Sequence, residues 1–151
     1  MACLVYTRIL VPLENSRTDE AIVEHVTALA RLCQANLVLI HVADGFAARN
    51  IEQLELRESE EIKKDRSYLD EVAARLSAQG LHVDAVLAIG DPAAEITAAA
   101  IREKCDLIAM GTHGHRFVKD FVLGSVANEV RHQSLIPVLM VRSRREPRTP
   151  P

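Results

Sequence analysis

A chain of 151 residues, 48% apolar and 26% charged, has the length and balance of one domain able to bury a core, which excludes a largely disordered polypeptide. No apolar run approaches the roughly 18 residues of a membrane-spanning helix, and no cleavage pattern follows the apolar parts of 1–13, so neither a membrane span nor a secretory signal is expected. The net charge of −3 is uneven: the last ten residues hold four Arg against one Glu, which leaves the rest at −6 and disfavours a nucleic-acid partner.

In chain order, Arg8–Leu13 reads as a first strand. From Ser16 onward, Ala21, Ile22, Val26, Leu29, Ala30 and Cys33 recur at helical spacing, with Ser16, Thr18 and Asp19 all candidate N-caps. Asn36–Val42 is a continuous, branched run that fits a strand buried on both faces. After a loop at 44–50, Ile51–Gln79 is a long charged helix with Gly80 as its stop. Leu81–Ile89 is a third strand. Asp91 is then an N-cap and Pro92 a first helical residue before the helix Ala93–Lys104. Asp106–Met110 is a fourth strand, Ser125–Ser134 a last helix and Ile136–Val141 a fifth strand. Strands alternating with helices predict a three-layer α/β domain with a parallel, open sheet over residues 1–142; 143–151, basic and proline-rich, reads as a disordered tail.

Ligands of such sheets gather outside the carboxyl ends of the strands. Composition singles out the loop after the fourth strand, where three of the six glycines fall: Gly111-Thr112-His113-Gly114, nine residues, then Gly124-Ser125. Glycine backbone amides beside a helix start make an anion cradle, although turns and a helix cap would use the same residues. The loop lacks the Gly-Lys-Ser/Thr of a Walker A sequence, and it follows the wrong strand for the dinucleotide fingerprint.

The spacing G-x2-G-x9-G-S resembles the nucleotide-binding motif of the universal stress protein family. RILVPLENS at 8–16, LVLIHV at 37–42, IGDPAAEI at 89–96, DLIAMGTHG at 106–114 and LGSVANEV with PVLMV within 123–141 fall in the family's order. The resemblance implies a Rossmann-like sheet of strand order 3-2-1-4-5 and membership of the ATP-binding type. It also implies a site: adenine near Val42, Pro12 and Leu13, ribose near Gly111 and the acid ending the first strand, phosphates on Gly114, Gly124, Ser125 and Val126. Met110, His113 and His115 complete the implied lining. Where the family usually has Asp, this chain has Glu14 followed by Asn15, which changes the reach of the carboxylate; Glu14 reads equally as an exposed loop acid.

Other chemistries have thin support. His113 and His115 lack a carboxylate or cysteine at metal-ligand spacing, so the only metal expected is Mg²⁺ arriving with the nucleotide's phosphates. His41, inside a buried strand, reads as a satisfied core or sheet-end residue. GxSxG is absent, so Ser125 is not read as a nucleophile, and no catalytic residue is assigned. Cys3, Cys33 and Cys105 are odd in number, with no CxxC, which suits a reducing cytoplasm, and Cys105 reads as packing. Phe117 and Phe121 read as packing or, alternatively, a lid. The apolar fifth strand at the sheet edge would be satisfied by its copy in a second chain, and the resemblance implies such a homodimer. The expected function is therefore a dimeric, ATP-binding stress-response regulator. A slow ATPase or phosphotransferase on the same site, or an interaction module with a vestigial site, are the alternatives.

Overall fold

The computed structural model describes the backbone of residues 5–44, 51–112 and 121–143, and the side chains of all of these but 44, 51–59 and 121–124. The elements run β1 (Arg8–Pro12), α1 (Asp19–Cys33), β2 (Asn36–Asp44), α2 (Ile51–Ala78), β3 (Val83–Gly90), α3 (Pro92–Arg102), β4 (Leu107–Thr112), α4 (Phe121–Gln133) and β5 (Val138–Arg142). All four strand pairings are parallel, and the sheet has the order β3-β2-β1-β4-β5 that the family resemblance implied.

Strand alternation builds two cores. Ile9, Val11, Leu37, Leu39, Leu107 and Ala109 face α1 and α2, where Ile22, Val26, Leu69 and Leu76 meet them. Leu10, Val38, Ile40, Ile108 and Met110 face α3 and α4, where Ile96, Ala99, Val126 and Val130 close the other layer. Each fully buried Leu or Ile contributes about 1.5–3 kcal/mol, and burial of both faces explains why β1, β2 and β4 read as unbroken apolar runs.

Local chemistry sets the boundaries. Asp91 accepts the Ala94 amide at 3.0 Å, with Pro92 opening α3, as expected. Gly80, at φ +90°, ends α2: its amide bonds the Ser77 carbonyl at 3.0 Å and Leu81's bonds the Leu76 carbonyl at 3.3 Å. That closure takes Leu81 into the helix stop, so β3 begins at Val83. The same six-to-one closure ends α1 and α3, there with Gln34 (φ 54°) and Lys104 (φ 55°) in the left-handed position. β5 starts two residues later than expected because the Ser134 hydroxyl ties itself to Ile136, at 2.8 and 3.1 Å.

Two expectations are corrected. The last helix begins at Phe121, not Ser125, so Gly124 falls inside its first turn; Ser125 is an exposed residue inside α4 and not its cap. Thr18 holds the cap position of α1 without a side-chain cap bond, and Asp19 is buried in a different role. The tail beyond Ser143 and the loop at 45–50 lie outside the described residues.

Candidate functional site

Strand order reverses between β1 and β4, the point at which open α/β sheets carry a ligand crevice beyond the carboxyl ends of their strands. The loop after β1 is held by one carboxylate. Asp19, 4% exposed, accepts the amides of Glu14 (3.0 Å), Asn15 (2.9 Å) and Ser16 (3.2 Å) and the Tyr68 hydroxyl (2.6 Å). Asn15 takes a left-handed φ of 63°, which turns three successive N–H groups onto one anion. Burial, followed by the Asp19 hydrogen bond and charge, pushes the Tyr68 phenol above its ordinary range, so it stays a donor.

A second clamp flanks the first. Asn15 Nδ2 donates to Asp65 at 3.1 Å, whose other oxygen lies 3.1 Å from His41 Nε2. His41 Nδ1 lies 2.8 Å from the Leu13 carbonyl oxygen. Both ring nitrogens thus face acceptors. His41 is the satisfied sheet-end residue expected. Between the clamps, the Glu14 carboxylate accepts the hydroxyls of Thr18 at 3.2 Å and Ser16 at 3.4 Å.

The predicted site residues fall into three groups. Glu14, Val42 and Gly111 are half-buried at the carboxyl ends of β1, β2 and β4, and Ser125 is exposed on α4. Pro12, Leu13, Met110 and Val126 are buried; Leu13 packs in one core, Met110 and Val126 in the other, so what Leu13 and Met110 present at the crevice is chiefly backbone. His113, Gly114 and His115 lie outside the described residues, as do Phe117 and Lys119, and Gly124 is placed only as the fourth residue of α4. Gly111 needs no special φ. A Cβ there would meet Ile22 at 3.7 Å, an ordinary contact, so β4 reaches the first turns of α1 without strain.

Sequence reasoning missed Tyr68 and Asp65 and misassigned Asp19. The available signal was on α2: Asp65 and Tyr68 stand three apart on the face that carries Leu69, Val72 and Leu76. A hollow of about 380 Å³ lined by Asn15, Asp19, Tyr68 and Arg75 opens beside this pair. Another of about 770 Å³ lies at the opposite end of the sheet, where the Arg8 guanidinium is already engaged by Asp84 at 3.1 Å and Glu103 at 3.2 Å. Among the described residues, no group of three or more His, Cys, Asp or Glu is placed to hold a metal ion.

A five-stranded parallel sheet of this order, with helices on both faces, defines a Rossmann-like α/β domain. The chain belongs to the universal stress protein family, whose model matches residues 5–142. Universal stress protein MJ0577 of Methanocaldococcus jannaschii is 30% identical over 92% of this chain and 96% of its own length. The solved MJ0577 structure superposes with a TM-score of 0.78 over 93% of this chain and 99% of that one. The same fold recurs in a universal stress protein in complex with cAMP (TM-score 0.68, 21% identity, 92% and 98% of the two chains). It recurs again in one from Archaeoglobus fulgidus in complex with dAMP (TM-score 0.64, 20% identity, 91% and 98%).

Proposed function

We propose that this protein binds an adenine nucleotide, ATP foremost, in the crevice between the loops after β1 and β4, and serves as a dimeric, cytoplasmic stress-response regulator. One observation carries the reading: the complete G-x2-G-x9-G-S set starts at the end of β4, beside the strand-order reversal, and ends in the first turns of α4. The cAMP and dAMP complexes of two proteins of this fold support adenine as the base.

In this reading Val42 and Pro12 flank the adenine, and Glu14 and Gly111 meet the ribose. The phosphates lie toward His113, Gly114, His115, Gly124 and Ser125, with Val126 packing behind. With α4 starting at Phe121, its first four amides, through Gly124, have no partner within the helix and point toward that end. Mg²⁺ would be carried by the phosphates and water. Homodimerisation would use β5, an edge strand whose Met140 is 37% exposed. The proposed output is occupancy, not turnover: phosphate release from Mg·ATP should be the same for the parent and Gly114→Val proteins.

Isothermal titration of nucleotide-stripped protein with ATP, ADP, AMP and cAMP tests the reading. Ser125→Ala removes one hydrogen bond to a charged oxygen, so ATP should bind about ten- to a hundredfold more weakly. Ser125 lies within α4, so this change is not confounded by loss of a helix cap. Absence of binding by all four nucleotides at millimolar concentration would overturn the proposal.

A further inference from the structure

We infer that Asp19 and Tyr68 are positioning residues: together they fix the backbone of 14–16 so that Glu14 presents its carboxylate to the ribose of a bound nucleotide. The inference rests on the nucleotide reading above and adds what sets its ribose contact.

A loop between a strand and a helix is ordinarily the softest part of an α/β unit. Here every peptide around Glu14 is engaged. The Leu13 amide bonds the Ile40 carbonyl at 2.8 Å and its carbonyl oxygen faces His41; the next three amides converge on Asp19. Asp19 is in turn oriented by the Tyr68 hydroxyl, from a helix 49 residues further along the chain. α2 packs on β2 and β3 through its apolar face, and among the described residues the Tyr68–Asp19 and Asp65–Asn15 bonds tie it to this loop. Glutamate has one more rotatable bond than aspartate, and a longer arm aims a carboxylate only if its backbone is held. The clamp supplies that hold, and the Thr18 and Ser16 hydroxyls steady the carboxylate itself.

The test separates positioning from general support by comparing ATP with 2′,3′-dideoxy-ATP, which lacks the hydroxyls Glu14 would bond. Titration calorimetry is run on the parent, Glu14→Gln, Tyr68→Phe and Asp19→Asn, with thermal melts of each. The parent should favour ATP by about tenfold or more, and Glu14→Gln should lose most of that preference. Tyr68→Phe and Asp19→Asn should cut the preference to about threefold or less, with dideoxy-ATP affinity within about twofold of the parent's. Tyr68→Phe keeps the ring and decides the matter if Asp19→Asn does not fold. A parental preference retained in Tyr68→Phe overturns the inference, as does a parallel fall for both ligands. A parent that binds both ligands equally removes the ribose contact and the inference with it. A parent that binds neither refutes the nucleotide reading itself.

Discussion

Asp106 precedes β4 at the end of the sheet away from the crevice, and its replacement by Asn has an effect that can be worked out from three bonds. One carboxylate oxygen accepts the Thr7 amide at 2.8 Å and the Thr7 hydroxyl at 2.9 Å; the other accepts the Arg8 amide at 3.0 Å. Asn keeps one acceptor and puts an NH₂ donor where the other stood, so at least one of these amides faces another donor. A bond to a charged group is worth about 1.5–3 kcal/mol, reduced here because the site is partly open to water, so a loss of about 1–2 kcal/mol follows. For a domain of this size that lowers Tm by roughly 2–8 °C at pH 7. The pH dependence has a definite sign. Burial works against ionisation, but the Arg8 and Thr7 bonds outweigh it and hold the Asp106 carboxyl below its ordinary value. A depressed carboxyl contributes stability that is complete above its unfolded pKa of about 4 and disappears as pH falls through the folded value. Urea and thermal melts should therefore show a gap between parent and Asp106→Asn at neutral pH that closes below about pH 4. ATP affinity should not change, because the clamp lies at the far end of β1. A gap that is absent at pH 7, or equally wide in acid, would refute the reasoning.

Gln34→Gly and Lys104→Gly should each stabilise the fold by about 1 kcal/mol in urea melts, since both residues close helices at positive φ, where a β-carbon costs about 1–2 kcal/mol. Cys33 and Cys105 should resist iodoacetamide in native protein at pH 8 and react fully once it is unfolded. Both are buried, and burial pushes the Cys105 thiol up to about 11, leaving little thiolate; mass spectrometry reads the outcome directly.

The strands were legible because a parallel sheet buried on both faces demands unbroken apolar segments, and RILVP, NLVLI and LIAM are short apolar runs of strand length alternating with longer amphipathic helices. Asp91-Pro92 and Gly80 were legible because their chemistry is local. Helix ends at Gln34 and Lys104 carry no such signature, since the left-handed residue is not glycine. Gly124-Ser125 looked like a helix start and lies one turn inside α4, because a Gly-Ser pair is equally a turn signal and carries no information about the residues before it. The clamps around Glu14 were out of reach: Asp65 and Tyr68 act on Asn15 and Asp19 across 50 and 49 residues, a proximity that only the packing of α2 creates.

On the nucleotide reading proposed above, Asp19 also argues against the first loop of this sheet as the phosphate site. Amides of a β-strand-to-helix turn are the usual anion cradle of open α/β folds. Here the cradle formed at Glu14, Asn15 and Ser16 is filled from within by the Asp19 carboxylate, at 3.0, 2.9 and 3.2 Å. Two like unit charges 4 Å apart near a protein surface repel by about 4 kcal/mol, so a phosphate at this loop would meet a charge already in place and Glu14 beside it. The hydroxyl-bearing part of a nucleotide has no such conflict and can donate to Glu14. On the same nucleotide reading, electrostatics favours one orientation, with sugar hydroxyls toward β1 and phosphates across β4 toward the first amides of α4. In that reading the carboxylate that stiffens the loop after β1 also directs the anion away from it.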